Sequence, residues 1–406
     1  MNTEKAVPKL RFSGFTDEWN EVTLNDVATF SKGKGISKND ISNYGIECVR
    51  YGELYTKYNE MIYNIESKTD LDKNELKLSE KNDILIPCSG ETAIDLATAS
   101  CIQKDQVAIG GDITVIKTNQ YAPFITYYLN QKKTEIAKYA QGISIVHLYP
   151  KDFKVMNIRI PSFNEQKKII ALLEEITKKE QLLESKYQQY QEFKKYLMQQ
   201  IFTQKLRFDK TSEWETFALN DIGKTYNGLS GLSKDNFEKG NSKYITYKSI
   251  FDNNILKSDF TENVDLNNKS QNEVKKGDLF FTGSSETPEE VGMVSVLSST
   301  VEDCYLNSFC FGFRLNNNYD VNPLFLAYYL RSPIMRNKIM ILAQGSTRFN
   351  LSKKEILKLK VEIPSISEQQ QIIDLFQNVD NKINEISIQT DNFNKFKKGL
   401  LQQMFV

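Results

Sequence analysis

Two long stretches of the chain carry apolar residues at a strict seven-residue step. The first row is apolar throughout and comprises Ile169, Ile176, Leu183, Tyr190 and Leu197, then Ile372, Val379, Ile386, Phe393 and Leu400. A second row is apolar at its ends (Leu172, Phe193, Leu375, Phe396) and polar in its middle (Lys179, Lys186, Lys382, Gln389). This spacing predicts two long helices that pair as a coiled coil, with the polar middle fixing the register. The alternative is that both stripes belong to buried helices of an ordinary domain.

The residues before each stretch predict where the two helices begin. Pro161 and Pro364 each end a strand-like alternation of apolar and polar residues. Asn164 and Ser367 follow as predicted N-caps, and the glutamate after each one adds favourable charge to the first helical turn. The predicted helices are therefore 164–204 and 367–406.

The two stretches are part of a longer internal repeat. Landmarks return in the same order at a shift of about 200 residues, far longer than the period of a solenoid. The repeated landmarks are Leu10-Arg-Phe12 with Leu206-Arg-Phe208, Trp19 with Trp214, Ser89-Gly-Glu-Thr92 with Ser284-Ser-Glu-Thr287, Ile160-Pro161 with Ile363-Pro364, and Glu165-Gln166 with Glu368-Gln369. A duplicated module that ends in a long helix explains this order, and two equal halves are expected to be related by a pseudo-two-fold axis.

The segments outside the helices predict mixed secondary structure. Short strand-like runs at 84–86, 113–116 and 279–281 alternate unevenly with helical stretches near 123–140 and 323–343, the latter with an interruption at Pro333. We therefore predict an α+β fold, with two similar globular domains at 1–163 and 205–366 and the long helices between and after them.

Composition narrows the class of protein. The 406 residues include 52 basic and 52 acidic side chains, a balance that argues against a polybasic protein that coats nucleic acid. The odd set of cysteines (Cys48, Cys88, Cys101, Cys304, Cys310) fits reduced thiols. No apolar run is long enough to cross a membrane, and the first residues lack the apolar core of a signal peptide. These features predict a cytoplasmic protein without membrane association.

Signatures of common catalytic sites are missing from the sequence. There is no P-loop, no Gly-x-Ser-x-Gly and no His-Glu-x-x-His, and Asn322-Pro-Leu-Phe325 lacks the second proline of an adenine methyltransferase motif. The single histidine, His147, falls near Asn350 in the second copy, so the repeat does not preserve it. We predict a core or loop role for His147, and a chain with neither catalytic residues nor a cofactor or metal site.

In combination, these motifs resemble the specificity subunit of type I restriction–modification enzymes, usually called HsdS. The features that carry the resemblance are the Trp-marked module starts, the run Ala343-Gln-Gly-Ser-Thr-Arg-Phe-Asn-Leu-Ser352, the Ile-Pro-x-x-x-Glu-Gln motif and the long helices. The resemblance covers the whole chain. One departure is that the first copy has Gln141-Gly-Ile-Ser-Ile-Val-His147 where the second has Gly345-Ser-Thr-Arg348.

The resemblance implies a function and a set of partners. Each globular domain would be a target-recognition domain that reads half of a bipartite, asymmetric site in double-stranded DNA. The two helices would form an antiparallel pair that sets the spacing and docks methyltransferase (HsdM) subunits, through which the restriction and translocase (HsdR) subunits join. S-adenosylmethionine, ATP and Mg would then be bound by those partners.

Candidate DNA-binding positions lie in polar, glycine-punctuated loops, because base edges require hydrogen-bonding side chains and phosphates require cations. They are Lys32, Lys34, Arg50 and Tyr51 in the first domain, and Tyr226, Asn227, Tyr247, Lys248 and Arg348 in the second. Two other functions stay open at this point: a protein-only scaffold built on the coiled coil, and an enzyme with a reduced active site.

Overall fold

The computed structural model describes residues 7–142, 146–267 and 269–406, which divide into two compact units. Unit 1 contains the chain up to residue 183 together with 389–406, and unit 2 contains 184–388. Each unit therefore combines one globular module with part of both long helices. Residues 1–6 of the predicted first domain and 143–145 of the loop that departs from the repeat lie outside the described residues. The four-part division made from the sequence stays a prediction.

The module of unit 1 contains thirteen strands, six short helices and three 3-10 turns within its described residues. The strands are β1 Asn20–Thr23, β2 Ala28–Lys32, β3 Ile41–Ser42, β4 Ile46–Val49, β5 Met61–Ile62, β6 Ser67–Thr69, β7 Ile84–Pro87, β8 Ser89–Gly90, β9 Ser100–Ile102, β10 Ala108–Ile109, β11 Ile113–Thr118, β12 Val146–His147 and β13 Asn157–Ile160. The helices are α1 Leu24–Val27, α2 Tyr51–Thr56, α3 Ala93–Leu96, α4 Ala122–Gln131, α5 Lys133–Ile136 and α6 Pro150–Phe153, and the 3-10 turns are Lys38–Asp40, Lys73–Glu75 and Ala137–Tyr139. The long helix α7, Phe163–Phe202, then contributes to both units.

A five-stranded sheet in the order β2-β11-β7-β9-β5 lies at the centre of this module. Its strands pair antiparallel except β5 with β9, and Val115 pairs with Leu85 in the middle. Ile84, Leu85 and Ile86 are all fully buried, which explains why β7 appears in the sequence as a continuous apolar run. The remaining strands form a second sheet, in the order β10-β4-β6-β3, and two two-stranded sheets, β1-β13 and β12-β8.

The module of unit 2 repeats this plan. Its strands are β14 Glu215–Ala218, β15 Gly223–Asn227, β16 Phe237–Ile245, β17 Ile255–Leu256, β18 Thr261–Val264, β19 Leu279–Thr282, β20 Ser284–Ser285, β21 Val294–Leu297, β22 Cys304–Leu306, β23 Cys310–Leu315, β24 Ala343–Gln344, β25 Phe349–Leu351 and β26 Lys360–Ile363. Its helices are α8 Leu219–Ile222, α9 Tyr247–Asp252, α10 Pro323–Leu330, α11 Pro333–Ile341, α12 Lys353–Leu357 and the long α13 Ile366–Met404, with 3-10 turns at Lys234–Asn236 and Ser258–Phe260.

Corresponding strands form corresponding sheets in the two modules. The central sheet of unit 2 has the order β15-β23-β19-β21-β17, and its edge pair β17 and β21 is again parallel. The short pair β1-β13 of unit 1 has its counterpart in β14-β26. The helical stretch is interrupted after Leu330, and Pro333 is the first residue of α11, in agreement with the predicted interruption. The α+β fold and the internal repeat are therefore confirmed.

The long helices begin slightly earlier than the sequence predicts. The hydroxyl of Ser162 accepts from the amide of Glu165 at 3.4 Å, and that of Ser365 accepts from the amide of Glu368 at 3.3 Å. The prediction of Asn164 and Ser367 as N-caps is thus wrong. The serine directly after each Ile-Pro takes that position, since its hydroxyl reaches an amide of the first turn that has no partner within the helix.

The first row of the heptad pattern forms the buried face of both helices. Ile169 and Ile372 are at most 2% exposed, and Ile386 is 1% exposed. Helix α7 and helix α13 run antiparallel: Glu180 binds Lys397 at 2.6 Å within unit 1, and Lys194 binds Asp380 at 2.5 Å within unit 2. The predicted coiled-coil pairing is confirmed in each unit.

The second row of the predicted seam is wrong by one residue. Phe193 and Phe396 are 47% and 57% exposed, whereas Leu173 and Phe376, each four positions after a first-row residue, are fully buried. The cause is that each helix packs against its module as well as against the other helix. It therefore buries a wider stripe than a two-helix coiled coil alone requires.

The Glu-Gln motif attaches each module to the start of its helix. Glu165 is 1% exposed and accepts two hydrogen bonds from Arg11, at 2.7 and 2.8 Å. Gln166 donates to the carbonyl of Pro161 at 3.0 Å and accepts from the amide of Tyr121 at 3.0 Å. Residues far apart in the chain are thus held by buried polar contacts.

Unit 2 forms the same junction with Arg207, Glu368 and Gln369. The Glu368 carboxylate accepts from Arg207 at 2.8 Å and also from the indole nitrogen of Trp214 at 3.1 Å. Gln369 bonds the carbonyl of Pro364 at 2.9 Å. The repeated Arg-Phe, Trp and Glu-Gln landmarks are therefore structural, and the modules differ elsewhere.

Candidate nucleic-acid interface

A loop of alternating lysine and glycine follows β2 in the first module. The amide of Gly33 donates to the carbonyl of Ile113, and that of Lys34 donates to Ile109, both at 2.9 Å. A Cβ atom on Gly33 would lie 1.9 Å from the carbonyl oxygen of Gly110, so glycine alone permits this approach. Backbone packing thus fixes the loop while the side chain of Lys34 stays exposed.

Arg50 and Tyr51 join the same edge of the module. The amide of Gly110 donates to the carbonyl of Val49 at 2.9 Å, which brings the start of α2 beside the glycine loop. The guanidinium of Arg50 lies 3.8 Å from the buried carboxylate of Glu53, and Tyr51 is 38% exposed. The four predicted residues of this domain therefore lie on adjoining segments of backbone.

Asp112 adds a carboxylate to this edge. Its side chain lies 3.8 Å from the ammonium group of Lys32, and both side chains are at least half exposed. The carbonyl of Asp112 accepts from the amide of Cys88 at 2.7 Å.

Burial raises the pKa of the Cys88 thiol, so this cysteine stays protonated and is unsuited to act as a nucleophile.

His147 lies next to Ser89, its partner in the pairing of β12 with β8. The Nδ1 atom of His147 is 3.1 Å from the hydroxyl of Ser89, and its ring stacks on Tyr149 with centroids 5.8 Å apart. In unit 2, Ser284 pairs with Asn350, so Asn350 is the counterpart of His147, as predicted. His147 is half-buried in strand β12, so the prediction of a core or loop role is wrong: pairing with β8 holds this residue in a short strand.

The second module contains a cleft of about 360 Å³, which we call the aromatic cleft. It is lined by Tyr247, Phe251, Ser284, Ser285, Glu286, Glu290, Phe309 and Arg348. The hydroxyl of Tyr247 donates to the carbonyl of Ser284 at 2.9 Å, and its ring stacks on Phe251 at 6.1 Å. Burial raises the pKa of Tyr247, so the hydroxyl remains a donor. The structure thus brings two predicted residues, Tyr247 and Arg348, into one cleft.

The charged side chains of the aromatic cleft have different environments. Glu290 accepts from the hydroxyl of Ser285 at 2.9 Å, whereas Glu286 is exposed. The guanidinium carbon of Arg348 lies 5.9 Å from the centre of the Phe309 ring, and Phe309 is itself 56% exposed. An exposed aromatic ring, a cation and carboxylates together can contact base edges and faces.

The other three predicted residues of the second domain lie outside the lining of this cleft. The hydroxyl of Tyr226 donates to Asp278 at 2.6 Å beneath the guanidinium of Arg314, and burial together with the Asp278 charge raises its pKa. Asn227 accepts from the ammonium group of Lys353. Lys248 is exposed beside Tyr247. Tyr226 is therefore committed to the packing of its module, and the DNA-binding role of all nine residues stays a prediction.

Phe309 and Asp112 occupy the same place in the two modules, although sequence analysis selected neither. The amide of Gly283 donates to the carbonyl of Phe309 at 2.8 Å, as the amide of Cys88 does to that of Asp112. One backbone position therefore carries a carboxylate in one copy and an aromatic ring in the other. Phe309 could have been selected from the sequence as a large apolar residue in the short turn between β22 and β23.

A second and larger cleft, of about 1080 Å³, lies in unit 2 between its module and both long helices. We call it the helix cleft. Its walls include Lys195 of α7, Asn384 of α13 and Asn337 of α11. Its floor includes Arg331, whose guanidinium donates to the carbonyls of Ile250, Phe251 and Asn253 at 2.7, 3.1 and 2.8 Å. Burial lowers the pKa of Arg331 to about 10.

Two kinds of site are missing from the part of the chain that the structure describes. No group of three or more His, Cys, Asp or Glu side chains could hold a metal ion there. Among the same residues, no helix has both the length and the apolar character needed to cross a membrane.

The duplicated architecture matches a known family model twice. The model for the type I restriction modification DNA specificity domain matches residues 16–191 and again 211–392. The chain belongs to the type I restriction modification DNA specificity domain family. The resemblance to HsdS is thereby confirmed, and each match spans one module and most of the helix that follows.

Curated members of this family align with one or both copies. The MjaVIII specificity subunit of Methanocaldococcus jannaschii is 21% identical over 95% of this chain and 91% of that protein. The EcoKI specificity subunit of Escherichia coli is 22% identical over 83% of this chain and 76% of that protein. The putative MjaX specificity subunit of M. jannaschii is 26% identical, but that match spans about half the length of each chain, 48% and 45%.

Solved structures of chains from type I restriction–modification systems share the fold. The type I S subunit from M. genitalium superposes with a TM-score of 0.59 at 16% identity, over 98% of this chain and 99% of that one. A chain from a structural study of complex assembly and conformational transition in the type I R-M system gives a TM-score of 0.62 at 15% identity, over 97% and 99%. At these identities the likeness concerns the fold alone.

Proposed function

We propose that this chain is the DNA-reading subunit of a type I restriction–modification complex, with each module reading one half of a bipartite site. The observation that carries this proposal is that one backbone scaffold occurs twice with different chemistry at the same position, Asp112 in one copy and Phe309 in the other. Two readers that differ in this way would recognise two different sequences. The protein-only scaffold hypothesis does not account for membership of a DNA specificity family.

The charge of the chain suits a reader that works within a complex. With 52 basic and 52 acidic side chains, it offers little non-specific attraction to phosphates. Lys32 and Lys34 at the glycine loop would position the backbone of DNA, while side chains such as those of the aromatic cleft would contact bases. Tight DNA binding is then expected only once partner subunits add their own contacts.

Partner subunits would supply the chemistry that this chain is predicted to lack. Methyltransferase subunits would bind S-adenosylmethionine and extrude the target adenine. Restriction subunits, with ATP and Mg, would join through them. The chain itself would be non-catalytic and would act in the cytoplasm.

Methylome sequencing tests the proposed function directly. The chain is co-expressed with a type I methyltransferase subunit that binds it, in a strain without other adenine methyltransferases. We expect one bipartite, asymmetric methylated motif, because two unlike modules read the two halves. A complex that forms and methylates at no common motif would contradict the proposal.

We propose that exposed apolar side chains on the part of α7 within unit 2 dock a methyltransferase subunit. Phe193 and Tyr196 of α7 are 47% and 59% exposed, and their spacing places them on one face of the helix. Within the same unit, Ile388 of α13 is also more than half exposed. Large apolar side chains exposed on a helix are typical of protein interfaces.

Replacing both Phe193 and Tyr196 by glutamate should weaken capture of the methyltransferase subunit. We expect at least about a 10-fold loss of affinity, since buried aromatic residues dominate the binding energy of interfaces. Affinity is measured by titration of the purified subunits. Tyr44→Glu is the matched control, because Tyr44 is 68% exposed on the first module. Equal affinity of the double variant and the wild type would contradict the docking proposal.

A further inference from the structure

Arg348 differs from the other arginines of the chain in its bonding. The chain has eight arginines, all among the described residues. Five of the other seven form ion pairs with carboxylates: Arg11, Arg50, Arg159, Arg207 and Arg314. The remaining two, Arg331 and Arg336, donate hydrogen bonds to carbonyl groups. The guanidinium of Arg348 alone has neither an ion pair nor a hydrogen bond within the described ranges, and the residue is exposed. Its donors are therefore available to a ligand.

The aromatic cleft restricts what that ligand can be. Phe309 lies under the guanidinium, with 5.9 Å between the guanidinium carbon and the ring centre, and an aromatic face holds a planar cation in a limited set of orientations. A planar fork held in this way matches a flat acceptor with two atoms side by side. The O6 and N7 atoms of guanine form such an acceptor in the major groove.

The acidic residues of the cleft argue against a phosphate as the ligand. Glu286 and Glu290 line the same cleft as Arg348, and their charges would repel a phosphate group. A guanine edge carries no net charge. The cytosine paired with it has an amino group that can donate a hydrogen bond to a carboxylate such as that of Glu286. The lining therefore favours a base pair over the backbone.

We propose that Arg348, held by Phe309, reads a guanine in the half-site of the second module. This inference rests on the proposed function and names the base that the aromatic cleft recognises. The first module has no equivalent pair of residues. Asp112 takes the place of Phe309. Because His147 corresponds to Asn350, residue 145 aligns with Arg348; it is an isoleucine and lies outside the described residues. The guanine contact would belong to one half-site only.

Methylome sequencing of the complex with Arg348→Ala tests the inference. We expect one guanine of the second half-site to become degenerate, with about a 10-fold or greater loss of discrimination at that position. The first half-site and the gap should stay unchanged. Phe309→Ala should relax the same position partially, and Phe309→Tyr should restore it because the aromatic face is retained. Lys338→Ala, an exposed cation on α11, is the control and should leave the motif unchanged.

Each other outcome overturns the inference in a recognisable way. A uniform loss of methylation at an unchanged motif would identify Arg348 as a phosphate contact. Full retention of the guanine in Arg348→Ala would show that Arg348 does not read it. Denaturation curves of the variants show whether any loss arises from unfolding. A wild-type complex without a bipartite motif would refute the proposed function, and this inference with it.

Discussion

Inserting seven residues into both long helices should lengthen the gap between the two methylated half-sites while leaving the half-sites themselves unchanged. The insertions are placed within 183–190 of α7 and 386–393 of α13. Seven residues preserve the heptad register and add about 10 Å of helix. An increase of at most about three base pairs in the gap is therefore expected from the rise of DNA. Methylome sequencing of the reconstituted complex measures the gap.

The ion pairs between the helices supply the control for this experiment. The insertion sites lie between the pair of Glu180 with Lys397 and the pair of Lys194 with Asp380. Lengthening both helices keeps both pairs, whereas lengthening one helix puts one pair out of register. The single insertions should therefore lose methylation at any common motif. An unchanged gap in a stable double-insertion variant would contradict the role of the helices as a spacer.

Arg331→Met should destabilise unit 2 and abolish recognition of the second half-site. Arg331 donates to the last carbonyls of α9, those of Ile250 and Phe251, and to the carbonyl of Asn253 just after it. Helix α9 carries Tyr247 and Phe251 of the aromatic cleft. Methionine keeps much of the side-chain volume but removes every donor, so several acceptors lose their partners. We expect a loss of at least about 3 kcal/mol in the free energy of unfolding, measured with denaturant.

Lys338→Met on the neighbouring helix α11 is the matched control. Lys338 is exposed, and its replacement should change the free energy of unfolding by no more than about 0.5 kcal/mol. If Arg331→Met unfolds at the same denaturant concentration as the control, the carbonyls of α9 do not depend on Arg331. The inference that Arg331 positions the aromatic cleft by holding α9 would then be wrong.

Features of the fold that depend on local pattern were predictable from the sequence. The duplicated modules and both long helices follow from repeated motifs and from apolar rows that must be buried. The second seam row was not predictable in this way, because burial of Leu173 and Phe376 depends on the module packed against each helix. A heptad describes two helices alone, whereas these helices have a further neighbour.

In the candidate site, too, features that depend on local sequence were predictable and features that depend on tertiary contacts were not. The lysine and glycine loop near Lys32 was found because its composition is a local signal. Phe309 was missed because its place in the cleft depends on Gly283, 26 positions earlier in the chain, bonding its carbonyl. Tyr226 was selected as a loop residue but lies in β15, where its hydroxyl binds Asp278. The predicted loop placement is also wrong for five other candidates, which lie in strands or helices: Lys32, Tyr51, Asn227, Tyr247 and Lys248. The positions of these side chains depend on the register of the sheet, which the sequence pattern does not specify at single residues.

The central claim is that each module reads one half-site independently, and exchange of modules measures this most directly. Residues 205–365 are replaced by a second copy of 9–162, with both long helices kept, and the methylated motif of the complex is sequenced. The account predicts that both halves of the new motif carry the base sequence that the first module reads in the wild type. Retention of the original second half-site, despite the exchange, would contradict it.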